Sequence, residues 1–211
     1  MAAARLTIRP GTRRDVPTIL ALIRGLADYE RLAHECVATP GGIRRDGFGR
    51  RRYFETLICR RGGRPIGFAL YFFTYSTFLA RPTLYLEDLF VLPTERGRGA
   101  GRALLRALAR IALRRRCGRM EWTVLDWNRP AIRVYQHLGA ALRRDWILTR
   151  LTGTPLARLA GVSAVRRATA RARPAGRART PTSSARPRTR RRPSPRRATR
   201  SRSAKRARAR S

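Results

Sequence analysis

The chain has 211 residues, of which 49 are basic and 12 acidic, giving a net charge of +37. Arginine supplies 48 of the basic residues and Lys205 is the remaining one, and the last part, residues 161–211, holds 19 basic residues and no acid. The mixed composition of residues 1–160 suits one globular domain, and the composition as a whole argues against a membrane protein, a disulfide-rich scaffold and a chain that is disordered throughout.

The cysteines and histidines offer no metal site. Cys36, Cys59 and Cys117 lie far apart, and with only His34 and His137 beside them no zinc-ligand spacing can be built. An odd number of cysteines, together with an N-terminal segment that lacks the apolar core of a secretory signal, predicts a reducing compartment. We therefore expect a cytoplasmic protein that binds no metal.

The first elements are predicted from alternation and capping. Residues 6–9 alternate apolar and polar side chains and predict a strand. Thr12 and Asp15 have the spacing of a helix-capping pair, and the apolar residues that follow recur at helical spacing, which predicts a helix to about Leu32. Residues 38–49 contain Pro-Gly-Gly, so any second helix there is short.

The next elements alternate between strands and helices. The predicted strands are 53–59 and 66–75, joined by a turn at 61–64, and then 84–92, 120–126 and 146–151. The predicted helices are 99–115 and 131–138, the second with Pro130 in its first turn and Gly139 at its end. The order strand, helix, three strands, helix, strand, helix, strand predicts an α/β domain with a mixed sheet that ends near residue 160.

Residues 161–211 consist mainly of Arg, Ala, Pro, Ser and Thr without periodicity. Such a segment has too little apolar surface to offset the entropy of ordering, and we expect it to be disordered. Its arginines would bind a polyanion such as nucleic acid without sequence specificity. A solvated extension without a role and an off-frame translation of GC-rich DNA account for the same composition.

A glycine-rich turn connects the predicted strand 84–92 to the predicted helix 99–115. Glycines in such a turn let the backbone approach a ligand, and the helix N-terminus behind them favours an anion such as a pyrophosphate. A plain tight turn accounts for the same glycines. The spacing fits neither the dinucleotide-binding fingerprint nor a P-loop. The residues concerned are Gly97, Gly99 and Gly101, with Arg96, Arg98 and Arg102 supplying positive charge.

Two motifs resemble those of the GNAT superfamily of N-acetyltransferases. Residues 96–101, Arg-Gly-Arg-Gly-Ala-Gly, are similar to its acyl-CoA motif Arg/Gln-x-x-Gly-x-Gly/Ala, and residues 128–140 contain its second motif, Asn-x-x-Ala-x-x-x-Tyr-x-x-x-Gly-Ala. Residues 28–30, 71–75 and 85–91 resemble the diamine (spermidine/spermine) N-acetyltransferase branch. The resemblance covers about residues 5–152. It implies a mixed, mostly antiparallel sheet flanked by helices, and direct transfer of acetyl from acetyl-CoA, as co-substrate, to a primary amine of a small molecule.

The resemblance also implies a coenzyme A site. Unpaired backbone groups of one strand would bind the pantetheine arm, the backbone N–H groups of the glycine-rich turn would bind the pyrophosphate, and an asparagine would bond the cofactor from the opposite wall. The implied cofactor-binding residues are Leu89, Phe90, Val91, Arg96, Gly97, Arg98, Gly99, Ala100, Gly101, Arg102, Asn128, Pro130 and Ala131.

The catalytic residues follow from the same resemblance. Tyr135 matches the general acid, since a phenol with a pKa of about 10 can protonate the departing thiolate. Glu87 would hold the acceptor ammonium and take its proton, whereas Asp88 points to the opposite face of the strand unless a bulge intervenes. Tyr29 and Glu30 are implied acceptor-binding residues.

Departures from the branch leave the acceptor open. Ser76 stands where polyamine-specific enzymes have an acid, and Arg144, beside Asp145, stands at a second such position. The positive charge of the domain would also repel a polycation, so an amino-acid side-chain amine or its thioether analogue is as consistent as a polyamine. A protein lysine acetyltransferase, and a nucleic-acid-binding protein with an inactive folded domain, are the alternatives. The branch resemblance implies a homodimer.

Overall fold

The computed structural model describes residues 4–162 and divides the chain into two units, residues 1–143 and residues 144–211. The described part of the first unit contains a five-stranded sheet and four α-helices. The strands are β1 (Leu6–Pro10), β2 (Glu55–Arg61), β3 (Arg64–Ser76), β4 (Arg81–Val91) and β5 (Arg119–Trp122). The helices are α1 (Val16–Tyr29), α2 (Pro40–Phe48), α3 (Ala100–Arg114) and α4 (Arg129–His137), and 3-10 turns lie at Arg13–Asp15, Ala33–Glu35 and Pro93–Glu95.

The sheet is mixed and mostly antiparallel, which confirms the predicted fold class. Its strands lie in chain order, with antiparallel pairing from β1 to β4 and parallel pairing between β4 and β5. One face packs against α1 and α2 around Ile19, Phe68 and Phe90. The other face packs against α3 around Leu84 and Leu104. Burial of apolar side chains on both faces stabilises this three-layer arrangement.

The capping pair predicted for the first helix is present. The Thr12 N–H and hydroxyl both donate to the Asp15 carboxylate, at 2.8 and 2.7 Å, and the Arg9 guanidinium donates to its two oxygens at 2.6 and 2.7 Å. These hydrogen bonds hold the pKa of Asp15 well below its usual range. The 3-10 turn that contains Asp15 leads directly into α1, so the predicted helix start is confirmed.

α1 ends three residues before the predicted Leu32, at Tyr29. Arg31 has a φ of +63°, the left-handed conformation that closes many helices. The Leu32 N–H donates to the Ala27 carbonyl at 2.8 Å and the Arg31 N–H donates to the Asp28 carbonyl at 3.1 Å. This hydrogen-bond pattern is a Schellman motif, and it fixes where the residues after α1 point.

β4 carries a bulge close to the point where it diverges from β5. Leu70 of β3 lies opposite Asp88, but the next residue, Tyr71, lies opposite Leu86, so Glu87 is the additional residue. The parallel pairing with β5 ends at the Leu86–Trp122 pair, one residue before the bulge. The remainder of β4 therefore diverges from β5 and leaves a gap between the two strands.

Two predicted strands differ from the structure. β5 ends at Trp122, rather than at residue 126, because the chain turns there and the Asn128 N–H donates to the Leu125 carbonyl at 2.9 Å. No strand forms over 146–151 in the described part of the second unit, where Ile147 is 86% exposed. An apolar run becomes a strand only when another strand satisfies its backbone groups, and no strand is paired with this run within residues 4–162.

The described part of the second unit contains one helix, α5 (Gly153–Leu159), which the sequence did not predict. Within residues 4–162 no helix has both the length and the apolar character needed to cross a bilayer. The predicted disorder of residues 161–211 falls outside the described residues from residue 163 onward and stays a prediction, as does the domain end near residue 160.

Candidate active site

The gap between β4 and β5 exposes a strand edge. Because β5 ends at Trp122 while β4 continues to Val91, the backbone of 87–91 has no strand partner on this side within residues 4–162. Leu89 is half-buried, and Phe90 is buried against α1, so only the backbone of Phe90 could face a ligand in the gap. The Val91 carbonyl already accepts a hydrogen bond from Arg96 Nε at 3.0 Å. The edge of 87–90 can still pair with an extended ligand.

The glycine-rich turn forms the wall at the start of α3. Gly97 and Gly99 have φ values of +72° and +84°, and no heavy atom lies within 4 Å of where a side chain would begin. The first helical hydrogen bond runs from the Ala103 N–H to the Gly99 carbonyl at 3.0 Å. Helix geometry therefore leaves the N–H groups of 100–102 available, and the helix dipole favours an anion there. These residues fit a pyrophosphate.

The three arginines of this turn have different surroundings. Glu95 accepts from Arg61 at 2.8 Å and from Arg98 at 3.3 Å, so the charge of Arg98 is partly compensated. The Arg96 guanidinium lies 4.1 Å from the centre of the Tyr29 ring, a cation–π contact that points it toward the end of α1. Arg102 is exposed and has no ion-pair partner among the described residues. Arg102 is therefore the arginine best placed for phosphate.

Asn128 joins the two walls of the gap. Its Oδ1 accepts from the Ala131 N–H at 3.3 Å, which caps α4 with Pro130 in the first turn, and from the Tyr29 hydroxyl at 3.1 Å. The rings of Tyr29 and Trp127 pack with centroids 5.7 Å apart. The structure thus brings the predicted acceptor residue Tyr29 to the predicted cofactor residue Asn128.

Tyr135 lies on α4 and faces the same region. Its ring packs edge-on against Trp122, with centroids 5.2 Å apart. Burial raises the pKa of the hydroxyl, and the nearby Glu30 and Tyr29 raise it further. A phenol with a raised pKa keeps its proton at neutral pH, which suits a proton donor and not a base.

Three carboxyls, those of Asp88, Glu87 and Glu30, lie close enough to interact electrostatically. Burial raises the pKa of Asp88 to about 7, and the charges of Glu87 and Glu30 add to the effect. Burial also raises the pKa of Glu30. A carboxylate with a pKa near neutrality can take a proton from an ammonium ion and release it again at physiological pH.

The bulge that the sequence analysis named as the exception for Asp88 is present. The bulge at Glu87 places Asp88 opposite Leu70, on the α1 face with Phe90, whereas a regular strand would have turned it toward α3. Glu87 is exposed and Asp88 is half-buried, so the carboxyl of Asp88 is the more enclosed of the two. Sequence reasoning had no signal for the bulge beyond the adjacent acids.

The two branch departures belong to different units of the chain. Ser76 is buried at the end of β3, where its hydroxyl accepts from the Leu79 N–H at 3.3 Å and caps the β3–β4 turn. Arg144 belongs to the second unit. Trp127, which contacts Tyr29 and the guanidinium of Arg31, was not singled out as a site residue because tryptophan in a loop has no spacing signal.

Comparisons with known proteins show which proteins this chain resembles. A sequence model described as the acetyltransferase (GNAT) family matches residues 21–140. The mouse protein named thialysine N-epsilon-acetyltransferase is 35% identical over 172 residues, which cover 76% of this chain and 99% of that protein. The human spermidine/spermine N(1)-acetyltransferase-like protein 1 is 36% identical over 140 residues, which cover 63% of this chain and 20% of that protein.

A solved structure supports the fold. An integron cassette protein from the mobile metagenome of V. cholerae superposes with a TM-score of 0.63 at 24% identity, covering 74% of this chain and 97% of that one. The sheet order and the helices that flank it are therefore shared beyond the closely related sequences.

Proposed function

The chain belongs to the GNAT family of acetyltransferases, and from that premise we propose that the gap between β4 and β5 is where it transfers acetyl from acetyl-CoA to the primary amine of a small molecule. The observation that carries this proposal is that Glu30 interacts electrostatically both with the Tyr135 hydroxyl and with the Asp88 carboxyl, beside an edge of β4 that has no strand partner among the described residues. A proton acceptor for the amine and a proton donor for a thiolate are the groups that such a transfer needs.

The cofactor residues follow from the walls of the gap. Acetyl-CoA would supply the acetyl group as a thioester. The free edge of 87–90 suits the amides of the pantetheine arm, and the N–H groups of 100–102 with Arg102 suit its pyrophosphate. Asn128 can contribute its side-chain amide from the opposite wall, provided that it shares or gives up its hydrogen bond to Tyr29.

The roles of the acid and the base are supported by their surroundings. Asp88 is the proposed proton acceptor, since its pKa of about 7 lets it exist as carboxylate in the presence of an ammonium ion. Glu30 and Glu87 attract the cationic acceptor to it. Tyr135 is the proposed proton donor to the sulfur, because its raised pKa keeps the hydroxyl protonated until a thiolate develops.

The acceptor is proposed to be a small amine. The relatives are named for thialysine, an amino acid with a side-chain amine, and for spermidine and spermine, which are polyamines. Ser76, which replaces an acid of the polyamine branch and is buried in a turn, adds no carboxylate for a second ammonium ion. A homodimer, a cytoplasmic location and nucleic-acid binding by residues 161–211 stay predictions.

Thiol release from acetyl-CoA tests the proposal. We expect free coenzyme A to appear only when acetyl-CoA and an amine are both present, in a panel of diamines, polyamines, amino acids and lysine peptides. Tyr135→Phe should lower kcat by about 100-fold or more, the usual contribution of a general acid. Tyr75→Phe is the matched control, because Tyr75 is 64% exposed at the far end of β3. Full turnover in Tyr135→Phe would refute the assignment of the acid, and no turnover with any amine would refute the function.

A further inference from the structure

Arg31 occupies a backbone position that normally belongs to glycine. It follows the last residues of α1 in a Schellman motif, with a φ of +63°. A residue with a Cβ is disfavoured in this conformation, which is why glycine is the usual choice. Strained backbone of this kind persists where the surrounding structure holds it, and it concentrates at functional sites.

The side chain of Arg31 packs against an aromatic residue that contacts the site. Its guanidinium carbon lies 6.0 Å from the centre of the Trp127 ring, and the Trp127 ring packs against Tyr29 at 5.7 Å. Tyr29 in turn donates to Asn128. Arg31 therefore stands on an aromatic platform that is continuous with the residues of the site.

Arg31 is an exposed cation without a carboxylate partner among the described residues. Arg9, Arg61 and several other arginines pair with acids. Glu30 is adjacent in sequence, yet it is half-buried and interacts electrostatically with Asp88 and Tyr135 instead. The residues at the end of α1 thus present separate positive and negative groups.

This arrangement suits one class of acceptor. A diamine carries only positive charge, and a free guanidinium would repel it. An α-amino acid with a side-chain amine carries a carboxylate as well, and a guanidinium binds carboxylates through two parallel hydrogen bonds. Glu30 can accept from the α-ammonium while the side-chain amine lies at Asp88.

We infer that Arg31 binds the α-carboxylate of an amino-acid acceptor and thereby selects amino acids over diamines of the same chain length. The inference rests on the proposed acetyl transfer and adds the substrate class. Arg31 is a specificity-determining residue here, and it takes no part in bond making or proton transfer.

Substrate pairs that differ only in the carboxylate test the inference. Lysine and cadaverine form one pair, ornithine and putrescine another, and lysine amide removes the negative charge while keeping the carbon skeleton. Arg31→Gln should lower kcat/KM for lysine or ornithine by about 10- to 100-fold, mainly through KM, the range expected for loss of a charge-assisted hydrogen bond. The values for cadaverine and putrescine should stay the same or rise.

Two further variants separate selectivity from folding and from net charge. Arg31→Gly removes the guanidinium and also relieves the left-handed conformation, so it should melt at or above the temperature of the unmodified protein while losing the preference for amino acids. Arg24→Gln removes one exposed charge from α1 and should leave the lysine to cadaverine ratio unchanged. Arg31→Lys should restore part of the ratio, since an ammonium also attracts a carboxylate.

The outcomes distinguish the inference from the proposed function. An unchanged lysine to cadaverine ratio in Arg31→Gln and Arg31→Gly, with the enzyme still active on both amines, would overturn the role of Arg31 and leave the acetyltransferase intact. An equal fall in kcat/KM for both substrates of each pair would also overturn the role of Arg31, since that result indicates a general effect on the site. Absence of acetyl transfer to every amine would overturn the proposed function itself.

Discussion

Asp88→Asn is expected to make the protein more stable at alkaline pH while it removes activity. Asp88 lies half-buried on the α1 face of the sheet, close to the charges of Glu87 and Glu30. Its ionisation is therefore opposed by burial and by repulsion from like charges. An asparagine has nearly the same shape and cannot ionise, so it avoids this penalty.

The size of the effect follows from the pKa of Asp88, which folding raises from 3.8 to about 7. Because the folded protein holds the proton more tightly, the stability contributed by this group is full below the unfolded pKa and is lost as the pH rises through the folded pKa. A difference of one in pKa corresponds to about 1.4 kcal/mol, so the loss of folding stability above neutral pH reaches about 4 kcal/mol at most. Asp88→Asn should recover much of it.

Urea denaturation at about pH 8.5 and about pH 4 measures the difference. The free energy of unfolding of Asp88→Asn should exceed that of the unmodified protein at the alkaline pH and nearly equal it at the acidic one. Glu87→Gln is the matched control, since Glu87 is the exposed neighbour of Asp88 and its removal should change the free energy of unfolding much less. A less stable Asp88→Asn at alkaline pH, or the same difference at both pH values, would refute the reasoning.

Three smaller perturbations test the framework around the site. Gly67→Ala should lower the free energy of unfolding by about 1–3 kcal/mol in urea, because its Cβ would lie 2.6 Å from the Phe90 carbonyl oxygen; an unchanged value would contradict the tight strand pair. Asp15→Asn should lower the free energy of unfolding by about 1–2 kcal/mol near neutral pH through loss of the cap. The difference from the unmodified protein should shrink below the unfolded pKa of 3.8, because the stability due to a lowered pKa is lost there. A difference that persists in acid would count against the ion pair. Gly99→Ala, at a φ of +84°, should lower the free energy of unfolding by about 1–2 kcal/mol and weaken coenzyme A binding measured by calorimetry. An unaltered affinity for coenzyme A would argue against the turn as the anion site.

Elements that depend on local signals could be predicted from the sequence. The helix predicted over 99–115 is α3, Ala100–Arg114, because its apolar period and its flanking glycine are both encoded within one segment. The start of α1 at the Thr12–Asp15 pair and the position of Pro130 in the first turn of α4 are local in the same way. The resemblance to GNAT acetyltransferases, which rested on two short motifs, is confirmed by the family model and the relatives.

Features that depend on distant partners could not be predicted. The run at 146–151 has the composition of a strand, but composition does not supply the neighbouring strand that it needs. The direction of Asp88 depends on one additional residue in β4, and alternation assigns it to the wrong face. The contact of Tyr29 with Asn128 joins residues 99 positions apart, so the meeting of acceptor and cofactor residues emerges only from the folded chain.

The additional residue in β4 has a consequence for which changes in length this chain can tolerate. Leu84 and Leu86, before Glu87, pack beneath α3, and so do Leu89 and Val91 after it. Leu86 and Leu89 are an odd number of residues apart, and in a regular strand they would lie on opposite faces. A regular strand over the same residues would invert every later side chain, turning Phe90 out of one interior and placing Asp88 in the other. Deleting Glu87 would leave these side chains on their present faces and would remove the bulge. A variant that lacks Glu87 should therefore keep both packing layers and lose the bulge beside the site, whereas the exposed turn at 77–80 can change in length without affecting the site.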